Sequence, residues 1–209
     1  MILSRRSSVA TIAFSLLLSL PLTACRVRTR DPGATKRLTQ APDFTLTDES
    51  ELPVKLADLT GSGHAVLVFY RGHFCPWCRS QLSKLNAMFA RFKAAGARLA
   101  GISADSLAHC AQLRKKLSLR FPLLSDPKLE VIKSYGVAQK DQDVAVPSIF
   151  IVSRNGQIVY RYVGESISDR PDPEKVLAAV PPPPKKPPPK LPEPKDEKTE
   201  PADEPADEP

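Results

Sequence analysis

The chain has 209 residues, a net charge of +7 and only 6% aromatic residues, with 22 prolines and 4 cysteines. One domain of ordinary size fits that length once the compositionally odd ends are set aside. The positive excess forms no long Lys/Arg block and accompanies no nucleic-acid motif, which argues against a nucleic-acid binder and leaves a mildly basic surface facing anionic membranes or acidic partners.

In chain order, residues 1–24 open with Arg5 and Arg6 and no acid, then run through the apolar stretch VATIAFSLLLSLPL. That is a charged leader with a hydrophobic segment short for a mature membrane span. It ends on Leu22-Thr23-Ala24-Cys25, which resembles the lipobox of bacterial lipoproteins. The resemblance implies removal of residues 1–24, lipid attachment at Cys25, and a protein anchored in the cell envelope and facing the periplasm. Arg26, a non-acidic residue after that Cys, implies the outer membrane. An ordinary signal peptide is the alternative. Residues 25–40 read as a polar, basic tether.

The foldable part is expected over residues 41–180. Phe44-Thr45-Leu46 and Val54-Lys55-Leu56 are short extended segments. Ala65 to Tyr70 is a continuous apolar run, the mark of a buried central strand. Leu82, Leu85, Met88, Phe89 and Phe92 repeat at helical spacing, which predicts one helix from Pro76 to Ala95, closed by Gly96. Strand Arg98–Ser103, helix Asp105–Leu117, extended Phe121–Leu124 and a short helix Leu129–Tyr135 follow. Ser148–Val152 and Gln157–Val163 form a hairpin across Asn155-Gly156, and Pro173 opens a last helix reaching Val180. This order points to an α/β fold, a central mixed β-sheet with helices on both faces. Residues 181–209 hold 12 of the prolines and one large apolar side chain, Leu191. Such a segment buries too little surface to offset its ordering entropy, so disorder is expected there.

The chemistry is concentrated in Cys75-Pro76-Trp77-Cys78. Cys75 falls at the start of a helix, where unpaired N–H groups and the helix dipole stabilise a thiolate. Pro76 suits the first helical position. A zinc site would need further ligands, and no second paired motif supplies them; a purely structural disulfide is the other alternative. No metal and no cofactor is expected.

The stretches Ala41-Pro42-Asp43-Phe44, Val68-Phe69-Tyr70-Arg71-Gly72, Cys75-Pro76-Trp77-Cys78-Arg79, Ile102-Ser103-Ala104-Asp105-Ser106 and Phe121-Pro122-Leu123-Leu124-Ser125-Asp126-Pro127 together resemble the peroxiredoxin family, of the alkyl hydroperoxide reductase/thiol-specific antioxidant type. The likeness is to the branch with a thioredoxin-style C-x-x-C. It implies a thioredoxin fold and a thiol-dependent peroxidase in which Cys75 and Cys78 form a redox disulfide. An external thioredoxin-like thiol would re-reduce that disulfide. The alternative is a protein-disulfide reductase or thiol carrier of the membrane-anchored thioredoxin-like type. Three positions depart from the family pattern. Arg71 stands where the family has Pro, Cys75 where it has Thr, and Pro147 where it has Arg; Cys78 takes the peroxidatic position. Val146-Pro147 instead resembles the cis-proline of thioredoxins, and Arg71, Trp77 and Pro147 are the expected active-site supports. His73 and Arg79 are weaker candidates, Cys110 is read as a buried inert thiol, and His64 and His109 carry no functional signal.

Overall fold

The computed structural model describes residues 38–61 and 63–182. The leader, Cys25, most of the tether and nearly all of the Pro-rich tail lie outside the described residues. The elements are β1 (Thr45–Asp48), β2 (Pro53–Lys55), α1 (Leu56–Thr60), β3 (His64–Phe69), α2 (Pro76–Ala87), α3 (Phe89–Ala94), β4 (Ala97–Ser103), α4 (Leu107–Leu117), β5 (Leu123–Ser125), α5 (Glu130–Ser134), β6 (Ser148–Val152), β7 (Ile158–Val163) and α6 (Pro173–Ala178). They build one 7-stranded sheet in the order β2-β1-β5-β4-β3-β6-β7. β3 and β4, and β4 and β5, run parallel. The β3–β6, β6–β7, β1–β5 and β1–β2 pairs are antiparallel. The mixed sheet is therefore the one the sequence order required.

β3 explains why both faces are covered. Successive strand side chains point to opposite faces. Ala65, Leu67 and Phe69 enter one core with Tyr135, Ile132 and Phe150. Val66, Val68 and Tyr70 enter the other, with Leu82, Leu85 and Phe92 of α2 and α3, Cys110 and Leu113 of α4, and Val176 of α6. All six residues of β3 are buried, which is why the segment reads as an unbroken apolar run. Among the described residues no helix is long and apolar enough to cross a membrane.

Several boundaries differ from expectation: Leu56 opens the short helix α1 instead of closing an extended segment, α6 ends at Ala178, and two further differences lie within α2 and at the start of α4. The helix foreseen over Pro76–Ala95 is broken at Met88, whose φ of −95° and ψ of 7° end α2 and begin α3. The turn is held from outside: Asn86 donates to the Ser118 carbonyl and accepts from the Arg120 backbone N–H. Helix α4 starts at Leu107, with Ser106 as its cap accepting from the His109 N–H. Asp105 is not the cap because its carboxylate is turned toward the neighbouring loop.

Candidate active site

β3 delivers the chain to the site. After Tyr70 the loop Arg71-Gly72-His73-Phe74 turns back, and the Cys75 N–H donates to the Gly72 carbonyl at 3.1 Å. Gly72 has φ of +152°, and a Cβ there would lie 2.6 Å from the Phe74 ring and 3.1 Å from Asp105 Oδ1. A larger residue would force the loop open. Cys75 is the N-cap of α2 in extended conformation, Pro76 fills the first helical turn, and the Arg79 N–H closes back on the Cys75 carbonyl at 3.1 Å. The sequence expectation for this corner is met at backbone level.

The two sulfurs differ in what surrounds them. Both are reduced thiols in this structure. Cys75 is 3% exposed and Cys78 is fully buried, while Phe74 and Trp77 beside them are half exposed. Burial pushes the Cys78 thiol up, and a hydrogen bond with Cys75 pushes in the same direction. The Arg71 backbone N–H and the charge of Arg170 pull it back down. Arg170 Nη2 lies 3.4 Å from Cys78 Sγ, across 92 residues of chain. A guanidinium at that distance favours a thiolate and offers further N–H groups to an incoming oxygen. The Nε atoms of Arg170 and of Arg71 are buried and make no hydrogen bond among the described residues.

Each expected support has a definite place. The Arg71 side chain donates to Gln142 Oε1 at 2.7 Å, so its backbone N–H, not its guanidinium, serves Cys78. Pro147 is buried at the start of β6. Its neighbour Ser148 is paired with Phe69 at the end of β3, which sets Pro147 beside the strand end leading into the cysteines. The likeness of Val146-Pro147 to a cis-proline does not extend to its conformation: no cis peptide bond occurs among the described residues. Pro147 precedes the interior strand β6 in the trans form, and its carbonyl accepts from the Gly164 N–H at 2.8 Å. Trp77 is at the protein surface beside the sulfurs, as expected. Cys110 is fully buried, 3.8 Å from the Tyr70 hydroxyl, and burial pushes its thiol up to about 11. That suits the inert assignment. His64 is buried at the far end of β3, and its ring nitrogens have no hydrogen-bond partner among the described residues.

Three residues around the site had no role assigned from the sequence. Arg170 lies in the segment between β7 and α6, remote from Cys78 in the chain. Asp105 was quoted for its family likeness without a role; its buried carboxylate accepts from the His73 backbone N–H at 2.8 Å, is bonded to His73 Nδ1 at 2.8 Å and accepts from the Ser103 hydroxyl at 3.0 Å. It thereby pins the loop that sets Cys75. His109, dismissed as ordinary, stacks on His73 with ring centroids 3.8 Å apart. A cleft of about 900 Å³ is lined by Tyr160, Tyr162, Arg170 and Lys175. The cysteines do not line it, so its link to the chemistry is Arg170 alone.

A model of the AhpC/TSA family matches residues 38–161. The thiol-disulfide oxidoreductase ResA of Bacillus thuringiensis is 26% identical over 132 residues, 63% of this chain and 72% of that relative. The chloroplastic peroxiredoxin Q of Oryza sativa is 33% identical over 132 residues, covering 62% of this chain and 60% of the relative. Among solved structures, the peroxidoxin BcpB of Mycobacterium tuberculosis superposes with a TM-score of 0.62 at 24% identity, covering 68% of this chain and 93% of that one. That last likeness bears on the fold alone, which is the thioredoxin fold of peroxiredoxins.

Proposed function

The chain belongs to the AhpC/TSA family, and from that premise we propose that it is a thiol-dependent peroxidase in which Cys78 attacks the peroxide and Cys75 resolves. The observation that carries this is Arg170 Nη2 at 3.4 Å from Cys78 Sγ. The family's Thr and Arg, which serve the peroxidatic thiolate, are replaced here by Cys75 and Pro147. The Arg71 N–H and the Arg170 guanidinium supply two other donors to the same sulfur. In the first step the Cys78 thiolate attacks the distal peroxide oxygen, the O–O bond breaks, an alcohol or water leaves with a proton, and Cys78 becomes a sulfenic acid. The Cys75 sulfur then displaces hydroxide from Cys78, which departs as water, and a disulfide forms. An external dithiol returns two electrons and two protons.

A second reading, disulfide exchange led by Cys75, is favoured by a separate observation. Burial and the hydrogen bond with Cys75 both hold the Cys78 thiol protonated, and the half-exposed Trp77 offers a surface for a protein partner. Dimedone labelling of the single variants separates the readings. With stoichiometric peroxide, Cys75→Ser is expected to be labelled at Cys78 and Cys78→Ser to be inert. Labelling confined to Cys75, with mixed disulfides trapped by Cys78→Ser, overturns the peroxidatic assignment.

The site of action is part of the proposal. The lipobox-like Leu22-Thr23-Ala24-Cys25 and the preceding charged and apolar leader support a lipid-anchored protein of the cell envelope. Attachment of acyl chains, at ~0.8 kcal/mol per buried CH₂, would hold it stably at the membrane. The enzyme would then work in an oxidising compartment, where its disulfide must be reduced by a dedicated thiol donor.

A further inference from the structure

We propose that His73, Asp105 and His109 form a binding site for a divalent transition-metal ion of the Zn²⁺ class, with two imidazole nitrogens and one carboxylate oxygen as protein ligands. One ligand atom from each residue lies within 4.8 Å of the other two. The three come from different elements: His73 from the loop after β3, Asp105 from the turn after β4, and His109 from the first turns of α4. The fold, not a local repeat, assembles them.

A side-chain rearrangement brings the three ligand atoms to the spacing of a loaded site. His73 Nδ1 and Asp105 Oδ1 are 2.8 Å apart. Two ligands that far apart, each about 2.1 Å from a metal, subtend about 85° at it, below the tetrahedral angle, so the pair opens to roughly 3.4 Å on binding. The largest separation two ligands can have around such an ion is about 4.2 Å. At a spread of up to 4.8 Å, the ligand atoms have to draw together by more than an ångström to reach the roughly 3.4 Å spacing of a tetrahedral site, which His109 does by turning out of its stack on His73. His109 is exposed, so the turn meets little resistance. Asp105 is held in place by the His73 N–H and the Ser103 hydroxyl, both on Oδ2, which leaves Oδ1 directed at the imidazole. Outer-shell bonds of this kind orient a ligating carboxylate.

Charge points the same way. The Asp105 side chain is only 6% exposed, and its one ion-pair partner among the described residues is His73, charged only when protonated. A buried carboxylate that has no Lys or Arg ion pair among the described residues is a place where a divalent ion can supply positive charge. Two nitrogens and one oxygen suit Zn²⁺, Cu²⁺ or Ni²⁺ better than Mg²⁺ or Ca²⁺, which take oxygen ligands. Arg79, Lys115 and Lys116 line a cavity of about 620 Å³ that His73 also borders. They weaken the attraction for a bare cation, and they favour an anion in the coordination positions the protein leaves open.

The site stands on its own geometry and does not depend on which sulfur reacts. Its test uses the full chain with Cys75→Ser and Cys78→Ser, stripped with chelator, so that the redox thiols offer no ligand. Titration calorimetry with Zn²⁺ is expected to show one ion bound at micromolar affinity or tighter. His109→Ala, which removes an exposed side chain and leaves the circular dichroism unchanged, is expected to weaken binding at least tenfold, as is Asp105→Asn. The Co²⁺ form is expected to show d–d bands without thiolate charge transfer. Absence of Zn²⁺ binding, binding that His109→Ala leaves intact, or a thiolate band in the Co²⁺ spectrum each overturns the assignment.

Discussion

Replacing Arg170 by Met isolates the contact on which the peroxidatic reading rests. The substitution keeps an unbranched apolar stem and removes the charge and donors at its end. A charge-assisted hydrogen bond contributes roughly 1.5–3 kcal/mol. Arg170 is only partly buried and its charge is the smallest of the named influences on Cys78, so solvent screening places the effect at the lower end. About 1.4 kcal/mol corresponds to one pKa unit. The sign follows from the chemistry: the cation favours the thiolate, so its loss raises the Cys78 pKa further. At a pH below that pKa, about tenfold less thiolate is present and the single-turnover rate with peroxide falls about tenfold. The rate-against-pH curve moves up by about one unit, and the two proteins converge at high pH. Arg170→Lys is expected to fall between them, since an ammonium keeps the charge without the planar fork. Trp77, the only tryptophan of the chain, is half exposed beside the cysteines and reports oxidation by stopped-flow fluorescence. A variant that reacts at the wild-type rate with an unmoved pH midpoint would refute the role given to Arg170.

Three further outcomes are expected. Burial raises the Cys110 thiol to about 11 from 9.0, so the folded state holds its proton where the unfolded chain releases it. Stability from this group is complete below pH 9 and is lost as pH rises toward 11, by about 2–3 kcal/mol. Denaturant titrations between those values should show a shallower decline in Cys110→Ala, and an unchanged slope would rule the effect out. Cys25→Ser should remove acyl mass from the mature N-terminus and release the protein from membranes; a wild-type protein without acyl mass there contradicts the lipid anchor. Deleting residues 181–209, a segment with one large apolar side chain, should leave the melting temperature and thiol activity nearly unchanged, and a loss of several degrees would show that it packs on the domain.

The legible features were those whose cause is local. The all-apolar run of β3 declares a strand covered on both faces because each of its residues is buried. The Cys75–Cys78 corner was legible because a helix start, a proline at its first turn and a preceding buried strand are adjacent in sequence. The break at Met88 was not, since the apolar stripe Leu82, Leu85, Met88, Phe89 and Phe92 continues through it; the cause lies in bonds from Asn86 to Ser118 and Arg120, more than 30 residues away. Arg170 was hidden for the same reason. A single arginine in a polar segment before α6 has no periodicity or spacing that ties it to Cys78. His109 and Asp105 could be joined to His73 only once the parallel pairing of β3 with β4 brought their loops together.

The departures from the family pattern make sense as a set. A proline at position 71 has no N–H to give; Arg71 has one, and it reaches Cys78. A Thr at position 75 would offer a hydroxyl, whereas Cys75 offers a sulfur able to close a disulfide. An arginine at position 147 would bring a guanidinium from the start of β6; Pro147 cannot, and Arg170 brings one from beyond β7. On the peroxidatic reading, two donors are thus lost and two gained at the same sulfur, while the resolving thiol sits at the N-cap of the same helix. The internal disulfide then forms without unwinding α2 to reach a distant partner. The cost is burial: Cys78 is fully enclosed and its thiol is pushed up, so the proton must leave before the attack. Its donors therefore act by raising the share of thiolate available for the attack.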